Sequence, residues 1–163
     1  MERSGRFLKI IKIAAGSLLA MAAAQALGLK YSSSAGVITL LSIQDTKRET
    51  IRVMARRLLA FLAAMVLGPL SFAAAGYRPL AMGIFLLMFT PLCMKWGIQE
   101  GISVNTVLMT HILAEGSMGM ADIANEALLL FVGTGVGVLL NLYIPGSGTA
   151  IRSAQIKIEE MFI

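Results

Sequence analysis

Cysteine, histidine and tryptophan occur once each in 163 residues. A lone Cys93 cannot build an intrachain disulfide framework or a cysteine-based zinc site, and within an apolar run it reads as packing. No G-x-x-x-x-G-K-S/T occurs, which argues against an ATP-driven pump in this chain. H-E-x-x-H and G-x-S-x-G are missing too. The sequence therefore makes no case for an enzyme, and neither a metal nor a cofactor is expected. Charge is scarce, with Asp, Glu, Lys and Arg at 14% of the residues. The balance of +5 raises nucleic acid as a partner. The basic residues, however, sit at the ends of apolar spans rather than on one surface, and no nucleic-acid motif accompanies them. Nucleic acid is not expected.

What is plentiful is apolar sequence. Hydrophobic residues make up 57% of the chain without counting glycine, against about 45–50% in soluble domains with glycine counted. The mean hydropathy is +0.79. An excess of this size, gathered in blocks, predicts an integral membrane protein. The one long charged stretch between the termini is Gln44–Arg57, with Lys47, Arg48, Arg52, Arg56 and Arg57. A basic island between apolar blocks reads as a loop on the cytoplasmic side of a bilayer.

This island sets the layout of six expected spans. Span 1 runs from about Ile10 to Leu29, long enough to cross a core of about 30 Å. Gly16, Ala20, Ala24 and Gly28 recur every four residues, a face suited to close helix approach. Leu18, Leu19 and Leu27 are expected toward lipid. Ala24-Gln25-Ala26 resembles a signal-peptidase site, but the spans that follow favour an uncleaved first helix. Span 2, Tyr31–Gln44, is short for a crossing at about 21 Å; it is kept as one so that the island shares a side with the basic N-terminus. Thr46-Lys47-Arg48-Glu49 fits a capping box, starting a helix at Thr46 that continues into span 3, Leu58–Ala75, with a kink expected at Gly68-Pro69. Gly76–Pro79 is read as an outer turn. Span 4 is Leu80 to about Met94, with Lys95, Trp96 and Glu100 at the inner interface. Span 5, Ile102 to about Ala114, carries Asn105, Thr106, Thr110 and His111. Its stripe Ser103, Thr106, Thr110 and Ala114 is expected in the interior, because so polar a helix is poorly suited to lipid on all sides. Glu115–Asp122 is an outer loop. Span 6 runs from about Ile123 to Ile144, with Gly133 and Gly137 on a G-x-x-x-G face and Pro145 closing it. On this layout twelve basic residues lie inside and two, Lys30 and Arg78, outside. That asymmetry puts both termini in the cytoplasm. The fold expected is thus all-α, a polytopic bundle, with a membrane domain over 1–145 and the start of a truncated cytoplasmic helical segment over 146–163.

The run Gln44-Asp45-Thr46 through Arg57-Leu58-Leu59, and the closing Gly133-x-Gly-x-Gly followed by Asn141-Leu142-Tyr143-Ile144-Pro145, resemble the membrane domain of the aromatic acid exporter family, itself similar to a wider fusaric-acid-resistance-like group. The resemblance covers about residues 5–145. Members often carry glycine where this chain has Ala60 and Ala64. They also usually continue into a cytoplasmic helical domain, whose beginning the tail Gln155–Glu160 resembles. The resemblance implies a multi-pass protein of a bacterial inner membrane that exports small aromatic or other organic anions, drawing on the proton gradient. An organic-anion channel and a non-transporting scaffold are the alternatives.

Several residues are candidates for the pathway: Asn105, Thr106, Thr110, His111, Glu115 and Asn141. His111 and Glu115, one turn apart, suggest a proton relay, because histidine titrates near neutral pH; the plainer reading leaves Glu115 in headgroup water. Asn141 suits a hydrogen bond across helices or a substrate contact. Asn125 and Glu126 open the apolar part of span 6, with Glu126 expected at the outer interface. The glycines around Gly133 lie inside an apolar span and are no dinucleotide loop. Arg48, Arg52 and Arg56 share a face that either gathers anions at an inner vestibule or touches anionic lipid. Six short spans enclose little volume, so a dimer is expected, with the Gly16–Gly28 or Gly133–Gly137 face as its seam.

Overall fold

The computed structural model describes residues 2–144, 156–158 and 161. Among the described residues up to 144, six α-helices follow one another: α1 Glu2–Ala26, α2 Ser33–Ser42, α3 Lys47–Ala75, α4 Pro79–Trp96, α5 Ile102–Glu115 and α6 Met120–Tyr143, with a 3₁₀ turn, Gln99–Gly101, before α5. Pro145 and most of the tail expected over 146–163 lie outside the described residues. Four helical segments are long and apolar enough to cross a membrane: Ser4–Ala26, Lys47–Ala75, Pro79–Trp96 and Met120–Tyr143. The two remaining helices, α2 and α5, have only 10 and 14 residues, about 15 and 21 Å.

Local chemistry accounts for the helix ends. Thr46 is extended and its hydroxyl accepts from the Glu49 amide at 3.2 Å, one half of the capping box. The same helix then runs through the basic island and Pro69 to Ala75 without a break. Pro79 begins α4, where a missing amide proton is harmless. Gly116 stops α5 in the left-handed conformation at φ 67°.

Successive helices run in opposite directions, as contacts near each end show. At one end Lys12 of α1 meets Asn141 of α6, and Arg57 of α3 meets Ser42 of α2 and the Glu100 carbonyl. At the other end Lys30 follows α1 and meets Asn125 of α6, while Ser34 of α2 meets His111 of α5. Two polar layers thus bound an apolar middle.

That middle has two packed clusters. Phe72, Phe85, Phe89, Cys93, Met109 and Ile112 join α3, α4 and α5, with Phe85 and Phe89 stacked at 4.8 Å. Ala20, Ala24, Ile38, Phe61, Leu108, Leu129 and Leu130 join α1, α2, α3, α5 and α6. In lipid such contacts hold by close fit rather than by exclusion of water. The fit is tight where α2 crosses α6. A methyl group at Gly133 would sit 2.5 Å from Ile38 Cβ and 2.9 Å from the Ala35 carbonyl; one at Gly137 would sit 2.6 Å from Ser42 Cβ. On α1, Gly16, Ala20 and Ala24 are buried, and a methyl at Gly16 would collide with Leu140 of α6.

Three expectations are corrected here. Gly28 is not part of the α1 packing face. It lies beyond the helix, exposed, in a left-handed turn at φ 68°, because the chain reverses there. The seams expected for a dimer, around Gly16 and around Gly133–Gly137, are filled within the chain by α6 and α2. The α5 stripe is not interior: Ser103, Thr110 and Ala114 are exposed and Thr106 half-buried. The opposite face, with Val104, Asn105, Leu108, His111 and Ile112, is the buried one. Asn105 and His111 find polar partners there, whereas Thr106 and Thr110 are satisfied by carbonyls of their own helix at 2.7 and 2.6 Å and need none.

Candidate functional site

The sole histidine stands at the centre of the second polar layer. His111 faces inward from α5 and is 8% exposed; Glu126, from the second turn of α6, is 2% exposed. His111 Nδ1 lies 2.7 Å from Glu126 Oε2, and its Nε2 lies 3.0 Å from Ser34 Oγ. With a neutral ring, Nδ1–H donates to the carboxylate and Nε2 accepts from the serine hydroxyl. The other Glu126 oxygen accepts from Asn125 Nδ2 at 3.0 Å. A carboxylate, an imidazole and a hydroxyl are therefore joined in line, the arrangement through which a proton can move between an acid and a base.

The link between α1 and α2 roofs this line. The Tyr31 ring is stacked on the His111 ring with centroids 4.2 Å apart. Tyr31 has φ 55°, the one positive value outside glycine among the described residues. Its hydroxyl donates to Glu115 Oε1 at 3.0 Å, and Lys30 Nζ donates to Glu115 Oε2 at 2.9 Å. Lys30 also lies 3.7 Å from Asp122 Oδ1, and its backbone exchanges two hydrogen bonds with the Asn125 side chain. These contacts have electrostatic consequences. Hydrogen bonds from Lys30 and Tyr31 hold Glu115 below the usual carboxylate range. The same bonds to Glu115 raise Lys30 and the Tyr31 phenol above their ordinary values. Beside this layer a cleft of about 340 Å³ is lined by Pro69, Phe72, Ala73, Tyr77, Met118 and Ile123.

The expected His111–Glu115 pairing is thus corrected. The two residues share a helix, but Glu115 is drawn outward by Lys30 and Tyr31, and the partner of His111 comes from another helix. Glu126 is likewise not at the interface but buried. Its pairing was out of reach of periodicity within one helix. An acid inside the first turns of an apolar span, facing a span with the only histidine, was the available signal.

At the opposite layer Asn141 is 2% exposed. It accepts from the Lys12 ammonium, and its amide nitrogen donates to the Gln44 carbonyl at 2.7 Å and to the Thr50 hydroxyl. It ties α1, α3 and the link between α2 and α3 to α6. Lys12 is 5% exposed and donates also to the Ile144 carbonyl at 2.6 Å. Arg57, 4% exposed, donates to Leu41 O and Ser42 Oγ, both at 2.6 Å, closing the end of α2. Asn105 is fully buried and donates to the Gly101 carbonyl at 2.8 Å and the Arg57 carbonyl at 3.3 Å. Lys12 and Arg57 are expected from the sequence only as two of the basic residues on the cytoplasmic side. Their flanks, Ile10-Ile11-Lys12-Ile13 and Arg57-Leu58-Leu59, were the signal that these two enter the bundle. Arg48 and Arg52 remain exposed. Arg52 pairs with Glu49 at 3.2 Å, and Arg56 pairs with Glu100.

Comparison with known proteins accords with this architecture. Residues 5–144 match the family described as aromatic acid exporter family member 1, and the chain belongs to that family. It is 36% identical over 154 residues to the Bacillus subtilis (strain 168) protein described as uncharacterized protein YqjA, covering 94% of this chain. The chain spans about half the length of that relative, 48%. No solved structure gives a significant match. Family and helices together make this a multi-pass membrane protein carrying the domain of that family.

Proposed function

Given membership of an exporter family, we propose that this chain forms the membrane domain of a proton-driven exporter of small aromatic or other organic anions. The observation that carries the proton coupling is the buried His111–Glu126 pair at 2.7 Å, joined to Ser34 on one side and roofed by Tyr31. A buried ionisable pair in a membrane bundle is costly to keep and points to function. Export of an anion against its electrochemical gradient requires an energy source, and this pair can carry a proton between two helices. All six helices cross from one polar layer to the other in this reading. Both termini then lie in the cytoplasm of a bacterial inner membrane, with Arg48, Arg52 and Arg56 on that side. Asn105, Thr106, Thr110 and Asn141 remain pathway candidates; Asn141 is favoured as a structural tie, since its amide is fully engaged. Two copies side by side supply the volume that one small bundle lacks.

The test is flux in liposomes reconstituted with this chain and loaded with labelled benzoate, a simple aromatic carboxylate. Flux driven by a pH gradient supports the exporter. Current independent of that gradient identifies an anion channel. Absence of flux from an intact oligomer favours a scaffold.

A further inference from the structure

Away from the His111 layer, α3 presents a face whose chemistry changes along its length. Arg52, Arg56, Leu59, Ala63 and Val66 are spaced by four, three, four and three residues, and so lie along one side of the helix. Beyond the arginines this side forms one wall of a groove of about 470 Å³, lined by Leu59, Leu62, Ala63, Val66, Trp96 and Ile98. Its floor is Ala63 and Ile98, 9% and 4% exposed; its rims, Leu62, Val66 and Trp96, are about three-fifths exposed. The groove is apolar throughout, and its basic end is not.

We propose that this groove holds an acyl chain of an anionic phospholipid, whose phosphate is held at Arg52 and Arg56. The Arg52–Glu49 and Arg56–Glu100 pairs each use one guanidinium nitrogen. A guanidinium has five N–H donors, so a phosphate oxygen can be bound beside the carboxylate. The charges on this part of α3 and beside it are Lys47, Arg48, Arg52, Arg56, Arg57 and Lys95 against Glu49 and Glu100, a positive surplus. Lys95 is exposed in the last turn of α4, next to Trp96, and tryptophan is the residue that sits at headgroup level beside a chain. Net headgroup charge and the acyl chain are both recognised: a zwitterionic lipid offers its phosphate together with an ammonium that the positive surplus repels, and a free phosphate fits the arginines without the groove.

The experiment is native mass spectrometry of the full chain released from micelles containing phosphatidylglycerol and phosphatidylcholine with the same acyl chains. Preferential retention of phosphatidylglycerol is expected. Arg52→Gln and Arg56→Gln should each weaken it about fivefold, the value of about 1 kcal/mol for a basic residue at an anionic surface. Ala63→Trp fills the floor and should displace the lipid with both arginines intact. Leu62→Ala, at a rim position outside the packed core, should weaken it in the same way. Arg78→Gln, at the other end of the bundle, should leave it unchanged. Equal retention of the two lipids overturns the proposal. So does full binding in both groove variants, or equal competition by inorganic phosphate.

Discussion

The ring of Tyr31 lies parallel to that of His111, the planes 4° apart and the centroids separated by 4.2 Å. A tyrosine holds a left-handed backbone at φ 55° to make this contact, a conformation that disfavours side-chain-bearing residues. The stack and the hydroxyl bond to Glu115 both hold it there, and the stack is expected to contribute more. Tyr31→Phe should keep the roof and lower thermal stability only slightly, while Tyr31→Ala should open it. Hydrogen exchange at the Ser32 to Ala35 amides reads the difference: rapid exchange in the Phe variant as well would show that the hydroxyl bond is the essential contact.

Glu126 and Glu115 lie at the same end of the bundle but should behave oppositely. Glu126→Gln removes the acid bonded to His111 and should abolish the dependence of benzoate flux on the pH gradient. Glu115→Gln touches only Lys30 and Tyr31 and should leave that dependence in place. Paired flux measurements at matched protein incorporation check this, and an unaltered pH dependence in Glu126→Gln would refute the relay.

The Lys30–Glu115 contact should set the acid and alkaline limits of order in the link between α1 and α2. Glu115 is held below its ordinary value. Its contribution is therefore complete above about pH 4.3, the unperturbed value, and lost as pH falls through the depressed one. Lys30 is raised, so its contribution is complete below about pH 10.4 and lost as pH rises through the elevated value. Both groups face solvent, and salt should narrow the effect. Melting curves from pH 3 to 7 should show an acid-sensitive component that Lys30→Gln reduces and that Lys30→Gln combined with Tyr31→Phe reduces further.

Asn141 joins three other parts of the chain through one amide, and removing it leaves Lys12 and Thr50 buried without that partner. Asn141→Ala should cost about 1–3 kcal/mol, read from unfolding in mixed micelles. Adding Lys12→Met should recover part of the loss, since the orphaned ammonium goes with it. A double variant less stable than the sum of the singles would contradict the shared network.

Gly133 sits where α6 meets α2 most closely. Gly133→Ala puts a methyl against Ile38 and should destabilise by about 1–3 kcal/mol. Ile38→Gly in the same chain, which takes away both the Cβ and the Cγ2 that the methyl meets, should return part of this, but not all, because the Ala35 carbonyl is also in the way. Thermal unfolding of the two singles and the double variant gives the coupling, and additive losses would place the close contact elsewhere.

Much of the bundle was legible because its signals are local. Thr46 caps α3 as its T-x-x-E pattern implies, Pro79 begins α4, Gly116 ends α5, and the exposed Leu18 and Leu19 lie on the side of the first span away from its small residues. The site was less so. Asn105 and His111 belong to the pathway candidates and are buried, but Thr106 and Thr110 are turned away. A polar stripe shows that one side of a helix differs from the other, and a threonine bonded to its own backbone needs no neighbour to explain it.

Residue order alone determined an apolar, all-helical chain, its breaks, and the family to which residues 5–144 belong, since hydropathy, caps and turn residues act over a few positions. Which side of α5 turns inward, which glutamate reaches His111, and that Lys12 and Arg57 are drawn inside were decided only when the helices packed. Those outcomes depend on which helix lies opposite which, through the close approach that Gly133 and Gly137 allow to α2. A buried polar group takes the partner that packing brings within about 3 Å, not the nearest one along the chain.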